Sequence, residues 1–174
     1  MRDCSWIPNK FENARPDGLR CTSDRTNNLP YGGYNCIAWA AGRTSQWWWP
    51  FDDPSAHWPI AVDSNDPTNP EQFVRAFALA GYSRCRNGRF RHGFEKVAFY
   101  VNASGGVEHA ARLLPNRAWT SKLGQAEDIE HDFLEDLEGK VYGKAKIFVQ
   151  RKNLDFVETN LLLRIWAWLL SFWV

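Results

Sequence analysis

Apolar positions change their period along this chain. In "TNPEQFVRAFALAGY" (68–82), Phe73, Phe77 and Ala80 form one stripe with Val74 and Ala76 beside it, which predicts an amphipathic helix. Its ends are marked as well: Asn69 caps, Pro70 takes the first position, Glu71 sits in the first turn and Gly81 stops the run. A shorter helix is predicted from Tyr34 to about Gly42, with Asn35 as its N-cap. Beyond residue 94 the period falls to two. "EKVAFYV" (95–101), "VEHAARLL" (107–114), "AWTSKLG" (118–124) and "AKIFVQRK" (145–152) read as strands, the first three joined by "NASGG" and "PNR" turns. Between the third and fourth, Ile129, Phe133, Leu134 and Leu137 suit the inner side of an acidic helix over 126–137. Residues 47–67 hold four prolines and read as a long packed loop.

This layout is that of an α+β domain, N-terminal helices packed on a four-stranded antiparallel meander. It divides the chain into an irregular lead-in (1–28), the α+β domain (29–152) and an apolar, Trp-rich C-terminal helix (153–174). The end, "LLLRIWAWLLSFWV" (161–174), is apolar almost all round. As a helix it would reach only ~21 Å, short of a ~30 Å bilayer core. Docking into the fold or a dimer partner is one reading of it, a membrane-surface or anchoring contact a second, and an altered tail of no functional weight a third.

Composition narrows the classes. A chain of 174 residues, 44% apolar, suits one domain with a real core. Its 21 basic and 20 acidic side chains leave no surplus for displacing counterions, which argues against nucleic acid as a partner. The local exception, "SRCRNGRFRHG" (83–93), reads as a solvated basic turn. "MRDCSWIPNK" lacks an apolar core of signal-peptide length, so the expected location is cytoplasmic, with reduced thiols. Membrane association, or delivery to a target without a signal peptide, is the variant of that reading. Cys4, Cys21, Cys36 and Cys85 make no zinc spacing with His57, His92, His109 and His131, so neither a metal nor another cofactor is expected. Ten tryptophans, three of them consecutive (Trp47, Trp48, Trp49), either close over a core or line a groove.

The candidate chemistry centres on "LPYGGYNCIAWAAG" (29–42). Asn35 as N-cap places Cys36 at the first helical position, where unpaired backbone N–H groups favour a thiolate. In "VEHAARLL" alternation puts His109 on one strand face with Val107, Ala111 and Leu113. If that face meets the Cys36 helix, thiol and imidazole form the pair that nucleophilic cysteine chemistry requires. A third group would fix the ring: Ser121, beside Thr120, or Asp128. A Ser121–Lys122 dyad is discounted, because adjacent strand residues point to opposite faces. His131 belongs on a solvated face of the acidic helix, and His57 packs on Trp58.

"PYGGYNCIAWA" resembles the nucleophile segment of papain-like cysteine hydrolases and is similar to that of the NlpC/P60 cell-wall amidases. The order Cys36, His109, then Ser121 or a neighbour is also theirs, although Asn35 stands where the amidases carry Asp. The resemblance implies a papain-like cysteine hydrolase or acyltransferase acting on an amide-type bond of a peptide or protein substrate. It implies backbone N–H groups at Cys36, with Tyr31, Tyr34 and Asn35, around a developing oxyanion, and Trp48, Trp49 and Trp58 walling the cleft. The wider set "YNCIAWAAG", "WWWP", "HAARLL", "WTSKLG" and "DIEH" resembles a family of small bacterial proteins that brings no activity with it. Two further readings stand beside the enzyme: a non-catalytic peptide- or protein-binding module with a Trp-lined groove, and a membrane-associated effector or toxin component.

Overall fold

Two neighbouring strands, β5 (Phe94–Val101) and β6 (Val107–Leu113), divide the molecule, because their alternating side chains feed two separate cores. The computed structural model describes residues 5–23, 33–50, 56–153 and 155. Tyr31 and the apolar tail 161–174 lie outside them. On one face Val97, Phe99, Val101, Val107 and Ala110 pack under Ile37, Ala38, Phe73 and Phe77. On the other, Ala98, Tyr100, Ala111 and Leu113 meet Ile7, Phe11, Ile129 and Leu137.

The remaining elements are short. Helices α1 (Ile7–Lys10), α2 (Cys36–Ala40) and α3 (Pro70–Ala78) precede most of the sheet. The strands are β1 (Leu19–Cys21), β4 (Ser83–Cys85), β7 (Trp119–Lys122), β8 (Asp128–His131) and β9 (Lys144–Lys152). With β5 and β6 they form one antiparallel sheet in the order β1-β8-β7-β6-β5-β9-β4. β2 (Trp47–Trp48) and β3 (Ala56–His57) make a small parallel pair inside the Pro-rich stretch.

Among the described residues the structure is therefore mostly β, a seven-stranded sheet with three short helices, and not helices packed on a four-stranded meander. The predicted acidic helix over 126–137 is β8 followed by a 3-10 turn at Leu134–Leu137. A hairpin decides the matter. Leu123 N–H donates to Glu127 O, and β8 then runs back along β7 with Lys122 opposite Asp128 and Trp119 opposite His131. Ladder pairing with β7 outweighs the helical spacing of Ile129, Phe133 and Leu137. His131 is accordingly buried, not solvated. Strand β9 lies on the far side of β5 instead of continuing the meander. Cys21 is disulfide-bonded, so reduced thiols are not the rule throughout, while Cys36 and Cys85 are free.

Candidate functional site

Asn35 organises the start of α2. Its backbone is extended, and its Oδ1 accepts from Ala38 N at 3.0 Å, capping the helix. The same amide grips β2: Nδ2 donates to Trp48 O at 2.7 Å, and Oδ1 accepts from Trp48 N at 3.3 Å. Cys36 is thereby the first helical residue, as the cap predicts. Its surroundings oppose a thiolate, however. The residue is 6% exposed, and burial pushes the thiol up to about 12, against smaller opposing contributions from the Ala110, Ile37 and Cys36 backbone. The Glu108 carboxylate raises it further.

His109 is on the opposite side of the sheet. It lies across from Tyr100, stacks on Tyr142 (centroids 4.0 Å apart, planes at 8°) and meets the Tyr100 ring at 5.3 Å, all within the second core. Neither ring nitrogen has a hydrogen-bond partner among the described residues. Burial, then the neighbouring His131, holds its pKa well below the usual histidine value. A shift of register beside Val101 adds to the difference from expectation, because it sends Val107 into the first core while His109 points into the second.

The four predicted catalytic side chains are thus divided between the faces. Ser121 shares the His109 side but pairs with His131, Oγ to Nε2 at 3.1 Å. His131 Nδ1 lies 2.8 Å from Phe133 O; a carbonyl only accepts, so Nδ1 carries the proton and Nε2 accepts from Ser121. Asp128 shares the Cys36 side and accepts from Tyr34 O–H at 2.6 Å. Among the described residues no group bonds to the His109 ring, and that ring lies in the core on the far side of the sheet from the sulfur.

What the first face does assemble is an aromatic surface. Tyr34 stacks on Trp39 (5.7 Å, 26°), and Trp39 Nε1 donates to Thr120 Oγ1 at 3.0 Å. Lys122, fully buried, reaches over Tyr34 at 5.1 Å, donates to Ala126 O and lies 3.8 Å from Asp128. Burial lowers its pKa, and the Asp128 and Glu127 charges act against that. Period-two alternation from Thr120 places Lys122 on this face, but nothing in the sequence marks Trp39 and Tyr34 as a stack. Trp47 and Trp49 flank buried Trp48 and are partly exposed. Trp49 and Trp58 set their edges against Phe73 at 5.8 and 5.0 Å, while His57 packs on Trp48 at 5.2 Å instead of on Trp58. The indole N–H groups of Trp48 and Trp58 are buried with no acceptor among the described residues.

Among the described residues no three His, Cys, Asp or Glu side chains gather as a metal site, and no helix is long and apolar enough to cross a membrane. A cavity of about 540 Å³ lies elsewhere, between Glu12, Asn102, Glu138, Gly143 and Lys144, and holds none of the predicted site residues. Fold and site together define a β-sheet scaffold that carries an aromatic surface beside a buried cysteine. The chain belongs to the family described as a domain of unknown function (DUF7689), whose model matches residues 20–150. No curated protein and no solved structure matches the chain.

Proposed function

We propose that this protein is a non-catalytic recognition module that binds an extended segment of a partner protein along its tryptophan rim. The observation that carries the reading is the pair of buried indole donors, Trp48 and Trp58, that lack acceptors among the described residues: Trp48 is flanked in the chain by the partly exposed Trp47 and Trp49, and Trp58 shares Phe73 with Trp49. Buried indole N–H groups ordinarily find a partner. A peptide supplies what is missing: main-chain carbonyls for the indoles and apolar side chains for the rings. The Asn35 clamp fixes the rim to α2 in advance, so little ordering is left for binding to impose. Thiol hydrolysis has less in its favour, since the sheet separates Cys36 from His109.

The test is selection of binders from a displayed random-peptide library, followed by fluorescence titration of the winners. Trp47→Ala and Trp49→Ala should each weaken binding by at least about tenfold, as loss of an aromatic anchor does. Cys36→Ala should bind like the parent. Unchanged affinity in both tryptophan variants, or hydrolysis of selected peptides that disappears in Cys36→Ala, would overturn the proposal.

A further inference from the structure

A guanidinium without an acceptor marks a second place on the α2 face. Arg112, on β6, lies over the Trp39 ring, 5.1 Å from its centroid. The residue is half-buried, its Nε is fully buried, and among the described residues it has neither a hydrogen bond nor an ion pair. Arginine is rarely taken from water in that condition.

Its neighbours do not relieve it. Arg112 is close enough to Tyr82 for its charge to act on that phenol, and Tyr82 donates to Glu95. Yet Glu95 is already occupied. Arg151 Nη2 reaches its two oxygens at 3.3 and 3.2 Å, Asn153 Nδ2 reaches Oε2 at 2.9 Å, and Tyr82 takes Oε1. Arg151 Nη1 is turned to Ala80 O at 3.3 Å. The two arginines nonetheless converge. A Cβ built on Gly42, just past the end of α2, would lie 3.3 Å from Arg112 Nη1 and 4.0 Å from Arg151 Nη2. Two guanidiniums and one committed carboxylate leave a single positive charge there.

We infer that Arg112, seconded by Arg151 across Gly42, is a receptor for a carboxylate group from outside the chain. The planar fork of a guanidinium matches the two oxygens of a carboxylate, and the Trp39 ring beneath holds the fork in orientation. A monoanion balances the surplus charge. A dianionic phosphate would exceed it by one charge. The site stands on different residues from the tryptophan rim, so it holds whether or not the rim binds a peptide.

The experiment uses the full chain labelled with ¹⁵N-arginine and follows the arginine Nε–H resonances. N-acetylglycine, a simple carboxylate, is titrated at fixed ionic strength, with inorganic phosphate in parallel. The expected result is a saturable shift confined to the Arg112 and Arg151 signals, in the millimolar range, with phosphate weaker. Arg112→Lys keeps the charge but loses the fork, so affinity read at Arg151 should fall by about tenfold or more. Absence of a saturable shift, a shift shared by all arginines, or unchanged affinity in Arg112→Lys would overturn the inference. Tighter binding of phosphate would overturn the carboxylate assignment. Should the variant fail to fold, the pattern of shifts in the parent protein decides alone.

Discussion

Position at a helix start does not by itself activate a cysteine. Cys36 has the backbone location that favours a thiolate, but α2 is only five residues long and its first turn is pressed onto β6. Desolvation then outweighs the backbone N–H groups, and the result is a protonated thiol near a carboxylate. Cys85, the other free thiol, is only partly buried. Iodoacetamide at about pH 7.5 should therefore modify Cys85 first. Cys36 should react on the order of a thousandfold more slowly in the native protein than in urea, given how small its thiolate fraction is at that pH. Site-resolved mass spectrometry over a time course reads both rates. Native Cys36 labelling faster than Cys85 would remove the sealed-thiol account, and much of the case against nucleophilic chemistry with it.

At the level of elements, one side chain joins α2 to β2. Asn35→Ala removes a helix cap and both grips on Trp48 together, and should cost about 2–4 kcal/mol in urea unfolding. Asn35→Asp keeps the accepting oxygen and loses the donor to Trp48 O, so its cost should be smaller; equal costs would show that the clamp contributes nothing beyond the cap. That cap was legible in sequence, as was Asn69 before α3, because N-caps act over two or three residues. The long strands β5, β6 and β9 were legible for a similar reason: each is a run of seven to nine residues bounded by turn residues, and β5 and β9 are rich in β-branched and aromatic side chains. The three-residue edges β1 and β4 were not, since only pairing with β8 and β9 makes them strands. For the site, sequence located Cys36, Asn35 and Tyr34 on α2 and its approach, and His109 on a strand. Which face of the sheet α2 covers is a property of packing, and the register shift beside Val101 reverses Val107 relative to His109. No local pattern carries either fact.

The sheet as a whole separates two environments. One face carries the aromatic surface and the unsatisfied arginine; the other encloses two neutral imidazoles in an apolar core. His131 is held by Ser121 and the Phe133 carbonyl, with Asp132, Asp136 and Arg20 acting on it from nearby, and burial lowers its pKa to about 4. His109 packs against Tyr100 and Tyr142 with no hydrogen-bond partner among the described residues, and its pKa is lower than ordinary for the same reason. Both groups take up protons more readily unfolded than folded. Stability is therefore intact above the unfolded value of about 6.5 and is lost as pH falls below it. His131 contributes a loss of roughly 3 kcal/mol by the time its folded-state value is reached, at about 1.4 kcal/mol per pH unit, and His109, lowered by burial as well, adds to the loss. Urea unfolding at a series of pH values between 7.5 and 4.5 measures the slope. His109→Phe keeps a flat ring against Tyr142 and removes two buried nitrogens that have no partners, so stability near pH 7 should stay within about 1 kcal/mol of the parent. Below pH 6 its curve should be shallower by about one proton's worth. A parent whose stability does not change over this range, or a variant with the parent's slope, would mean that His109 already meets water or an acceptor, and that the second core is not the closed compartment described.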